Sequence, residues 1–83
     1  MITMTMREQI ISYLEQMVDN NLFDKRGNEY RQDTRRRIYT ITINADHFLY
    51  MEQERMQPSE WYQTEYAYDD AALKLLKKSF GSV

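Results

Sequence analysis

Eighty-three residues with no cysteine make one small domain with a modest core, and they exclude a disulfide framework or a thiolate metal site. Glycine occurs only at 27 and 81, which excludes a glycine-rich phosphate loop, and the single histidine, His47, leaves zinc without a ligand set. The net charge of −2 is unevenly spread: residues 24 to 37 carry six basic and three acidic groups, whereas residues 44 to 70 carry seven acidic groups and one basic group.

The chain is read as a single domain over residues 1–83. No apolar run is long enough to cross a membrane, and MITMTMREQ lacks a basic region followed by an apolar block. The expectation is a soluble, cytoplasmic protein.

Residues 5 to 20 predict a helix. Thr5 and Glu8 have the spacing of a capping box, and Met6, Ile10, Ile11, Leu14, Met17 and Val18 recur at helical spacing. Leu22 and Phe23 should then anchor the chain to the core. Asp24 to Asn28 reads as a turn, and the polar stretch Glu29 to Thr34 reads as an exposed loop or the ragged start of a strand.

The strongest β signal is Arg36 to Glu54. Ile38 to Ile43 is entirely β-branched or aromatic, Asn44-Ala45-Asp46 suits a turn, and His47 to Met51 forms a second run. A three-residue loop pairs Ile43 with His47, Ile41 with Leu49 and Tyr39 with Met51. That register is preferred, because it places Arg36 opposite Glu54 and gathers one apolar face. A loop one residue longer or shorter pairs Ile43 with Phe48 and Ile41 with Tyr50. In both registers Tyr39, Ile41 and Ile43 share the core face.

Pro58 ends the second strand. EWYQTEYAY, residues 60 to 68, fits a third strand by its aromatic content, and alternatively the start of a long helix. Asp69 is a good N-cap for a last helix with Ala72, Leu73, Leu76 and Phe80 on its buried stripe, and Gly81 can stop it. The predicted class is α+β, in the order α-β-β-β-α, with a three-stranded antiparallel sheet covered by helices. The runner-up is α-β-β-α.

No residue set supports catalysis, a cofactor or a metal, so a non-catalytic role is expected. Phe48 and Tyr50 should remain on the outer sheet face, ringed by Glu52, Glu54 and Glu65. Aromatic groups surrounded by charge have the composition of a protein-binding surface, here one suited to a basic partner. An alternative is nucleic-acid binding through Arg31, Arg35 and Arg37, extended by Lys74, Lys77 and Lys78. A third reading is a self-associating structural subunit, with a homodimer as its simplest form.

The order α-β-β-β-α resembles that of double-stranded-RNA-binding domains. Those domains enter their last helix through lysines, where this chain has Asp69-Asp70-Ala71-Ala72. Size, acidity and element order are also similar to those of small phage-borne inhibitors such as anti-CRISPR proteins. That resemblance implies an inhibitor of a larger, nucleic-acid-handling protein.

Overall fold

The computed structural model describes residues 3–81, and its first element, helix α1 (Met6–Asp19), starts where the sequence caps it. Glu8 N–H donates to Thr5 Oγ1 at 3.1 Å, and Thr5 N–H donates to Glu8 Oε1 at 3.0 Å. The helix ends in a Schellman arrangement. Asn21 takes φ 62°, its N–H reaches the Val18 carbonyl, and Leu22 N–H reaches the Met17 carbonyl. This turn sends Phe23 inward and leaves Leu22 43 % exposed, so only one of the two expected anchors serves.

Five strands follow, not three: β1 (Asp24–Arg26), β2 (Glu29–Asp33), β3 (Arg37–Ile43), β4 (His47–Glu54) and β5 (Trp61–Ala67). They form an antiparallel meander in chain order. Helix α2 (Asp70–Phe80) completes an α+β domain. The segment read as a turn and loop is in fact a hairpin. Arg26 pairs with Glu29 around Gly27-Asn28, and Gly27 holds φ 60°. A glycine at the first loop position of a two-residue hairpin is the sequence mark of a type II′ turn. β2 carries one large apolar residue, Tyr30, which is buried, while its charged residues are exposed. A strand with so little apolar content depends on pairing with β3, where Tyr30 lies opposite Ile41.

With five strands present, neither the α-β-β-β-α nor the α-β-β-α order holds. The likeness in element order to RNA-binding domains and to small inhibitors goes with it.

The preferred hairpin register is also corrected. Ile43 pairs with Phe48, Ile41 with Tyr50 and Tyr39 with Glu52. Asn44 N–H donates to the His47 carbonyl at 2.9 Å, which leaves Ala45 and Asp46 at the tip. The Tyr68 hydroxyl donates to the Asn44 carbonyl at 2.6 Å and accepts from its N–H, while the Arg7 side chain donates to the same carbonyl. The one-residue shift places Phe48 and Tyr50 beneath the helices in place of Leu49 and Met51. Aromatic rings carry the larger apolar area, so this register buries more of it.

Both helices lie on that face. Ile10, Tyr13, Leu14 and Met17 of α1, with Ala72, Leu73 and Leu76 of α2, close over Tyr30, Ile41, Ile43, Phe48 and Tyr50. Phe80 adds edge-on contacts to Phe23 and Tyr39. The Tyr13 hydroxyl ties the two helices by donating to the Leu76 and Gly81 carbonyls, and its burial pushes its pKa up to about 12. Asp69 caps α2 by accepting from Ala72 N–H at 2.8 Å.

Candidate protein-binding surface

The two ends of the sheet differ. α2 finishes at Phe80, beside Tyr39 and Tyr50, so among the described residues no helix lies above the rows beyond Tyr39–Glu52–Tyr62. Two turns project from this end. One carries Arg35 and Arg36, and the other runs from Arg55 to Glu60.

The acidic turn is built by β4–β5 pairing. Gln53 lies opposite Trp61 and Glu52 opposite Tyr62, and Glu54 N–H donates to the Glu60 carbonyl at 3.0 Å. Pro58 sits in the connection, and its carbonyl accepts from Gln53 Nε2. Glu52, Glu54, Glu60, Trp61 and Tyr62 surround a shallow depression there. Trp61 is 60 % and Tyr62 53 % exposed. Strand alternation sets the Tyr62 ring on the helix side with the three carboxylates, and the Trp61 ring, opposite Gln53, on the helix-free side of the same turn. Glu52 accepts from the Tyr50 hydroxyl at 2.6 Å; burial first, and this bond second, raise the pKa of Tyr50. Glu54 meets the Arg37 guanidinium at 2.7 Å and raises its pKa.

The basic turn is closed by Thr34, whose hydroxyl accepts from Arg37 N–H and donates to the Arg37 carbonyl. Arg55 joins it, donating to the Thr34 carbonyl and lying 3.7 Å from Asp33. Among the described residues, Arg35 and Arg36 form no ion pair.

Of the residues expected to bind a partner, Phe48 and Tyr50 are not on the outer face. They are 0 % and 9 % exposed, inside the core, because the register differs from the preferred one. Glu52 and Glu54 do stand together. Glu65 does not join them: it pairs with Leu49 on the helix-free face, where its carboxylate lies 3.6 Å from His47 Nε2. His47 Nδ1 meets Asp46 at 2.7 Å.

The arginines and lysines expected to hold nucleic acid are also scattered. Arg31 pairs with Asp33 on the helix-free face, Arg37 with Glu54 on the helix side, and Lys74 with Asp70 along α2. Arg35 stays at the turn tip, and Lys77 and Lys78 are exposed on α2. They form no single basic face.

Of the residues around this depression, Trp61 is the one that the sequence reading left out. Strand alternation carried the signal, since it groups Trp61 with Gln63, Glu65 and Ala67, a set too polar to be a core face. Among the described residues no cluster of three metal-ligating side chains occurs, and no helix is long and apolar enough to cross a membrane.

Set against known proteins, the chain matches no family model, no curated protein and no solved structure.

Proposed function

We propose that the protein is a non-catalytic binding module that docks its acidic, aromatic sheet end onto a basic surface of a larger protein. The observation that carries this reading is the depression formed by Glu52, Glu54, Glu60, Trp61 and Tyr62 on the uncovered end of the β4–β5 hairpin. Aromatic rings of this size are typical anchors, because they bury much area for few rotatable bonds. Carboxylates around them steer a basic partner and reject an acidic one. A module of this kind inhibits its partner when the basic surface it occupies is the partner's own nucleic-acid site.

The test starts with affinity capture from a host lysate and continues with surface plasmon resonance against the captured protein. Reversing Glu52 and Glu60 to Lys should slow association and reduce its dependence on salt. Tyr62→Ala should speed dissociation instead, with a cost of about 2 kcal/mol or more for a true anchor. Unchanged kinetics in all of these, with the fold intact by circular dichroism, places the interface elsewhere.

A second reading, binding of nucleic-acid phosphates by arginines, is supported by the gathering of Arg35, Arg36 and Arg55 at one turn. The carboxylates next to this turn oppose it. A gel shift at low salt that leaves DNA and RNA unretarded removes it.

A further inference from the structure

The two edges of the sheet are managed in opposite ways. β1 is three residues long and entirely charged, which discourages strand addition. β5 is seven residues long, pairs with β4 without a bulge, and contains no lysine or proline. Among the described residues its outer edge has no neighbouring strand.

The backbone pattern decides which groups that edge offers. Glu54 N–H donates to the Glu60 carbonyl, so the narrow, hydrogen-bonded pairs of the β4–β5 ladder are 54 with 60, 52 with 62, 50 with 64 and 48 with 66. The N–H and C=O groups of Trp61, Gln63, Glu65 and Ala67 therefore point away from β4. The Ala67 carbonyl is already taken by Asp69 N–H. Trp61, Gln63 and Glu65 remain, at a spacing of two, with both backbone groups turned outward.

We infer that this edge is the dimer interface of the protein: β5 pairs antiparallel with β5 of a second copy, about a two-fold axis at Gln63. A two-fold contact must be self-complementary, and few registers are. Pairing about Gln63 sets Trp61 opposite Glu65 of the second copy, Gln63 opposite Gln63, and Glu65 opposite Trp61. Each of these three pairs can form both of its backbone hydrogen bonds. Pairing about Thr64 instead sets Trp61 opposite Ala67, whose carbonyl is already occupied. In the Gln63 register the neighbouring pairs are Tyr62 with Thr64 and Glu60 with Tyr66, so no like charges face each other across the join. The occupied carbonyl and the charge pattern together select this register.

The contact is one strand wide, which places it at the small end of specific interfaces, about 1,200 Å² or less. The dimer should therefore form and dissociate with concentration. The two acidic turns lie at opposite ends of the paired sheet, so this inference goes beyond the docking proposal and does not depend on it.

Light scattering after gel filtration of the full chain, over rising concentration, tests it. The mass should climb from that of one chain toward that of two. Gln63→Pro should remain monomeric, because it removes the central outward N–H while the ladder to β4 loses no donor. Gln63→Lys and Gln63→Glu should each lose the dimer through like charges at the axis, and mixing the two should restore it. That mixture needs no proline to fold. A wild type that stays monomeric throughout, a Gln63→Pro protein that is folded and still dimeric, or a mixture no more associated than its components each overturns the inference.

Discussion

At the scale of single residues, the face of the central strand decides stability. Ile41 is fully buried between Tyr30 and Tyr50, whereas its neighbour Thr42 points to the helix-free side. A carboxyl group at Ile41 would be either an unpaired charge among apolar groups or a protonated acid stripped of water, at a cost comparable with a small domain's total stability. Ile41→Asp should leave no cooperative melt by circular dichroism, and Thr42→Asp should melt near wild type. The reverse order would mean that the helices cover the other face. This face was legible in the sequence because Tyr39, Ile41 and Ile43 point together in any register. Phe48 and Tyr50 were not, since a one-residue slip moves both to the opposite face and apolar alternation fits either choice. What fixes them lies far away in sequence: Tyr68 and Arg7 grip the Asn44 carbonyl, and Tyr66 stacks on Phe48.

At the scale of elements, caps and turns were readable wherever the chemistry is local. Thr5 with Glu8, Asp69, and the strand at 61–67 all stand where the sequence puts them. β1 and β2 were missed because their residues, DKR and EYRQD, have almost no apolar period. Their pairing comes from the Gly27 turn and from Asn28, whose carbonyl accepts from Ile43 N–H while its side-chain amide donates to the Ile43 carbonyl. Gly27 thus carries the hairpin. Its φ of 60° is in the left-handed region, and an added Cβ would meet nothing within 4 Å, so the cost of substitution is conformational alone. Gly27→Ala should lower unfolding free energy by about 1 kcal/mol, with an unchanged m-value in urea. A neutral result would mean that the hairpin contributes nothing to global stability. Gly27→Asn, which tolerates this conformation better, should recover part of the loss.

At the scale of the whole molecule, a meander with helices on one face creates a gradient of protection. β3 and β4 have strands on both sides, and α1 and α2 lie over the core residues that they carry. β1 and β5 each have one side open to water. Amide exchange should therefore be slowest in β3 and β4, since their amides are released only when most of the sheet opens. In β5 the pattern should be finer. Tyr62, Thr64 and Tyr66 turn their N–H groups toward β4 and should be protected. Trp61, Gln63 and Glu65 turn theirs outward and should exchange rapidly in dilute solution. Raising the concentration should slow these three selectively, because pairing with a second β5 gives each of them an acceptor, while amides of β1 should not change. Residue-resolved hydrogen exchange by NMR at two concentrations reads both effects. Alternation of the opposite phase at low concentration, with Trp61, Gln63 and Glu65 protected, would show that β5 pairs with β4 in a register shifted by one residue. Alternation that persists unchanged at high concentration would leave the β4–β5 register intact and rule out strand pairing between copies.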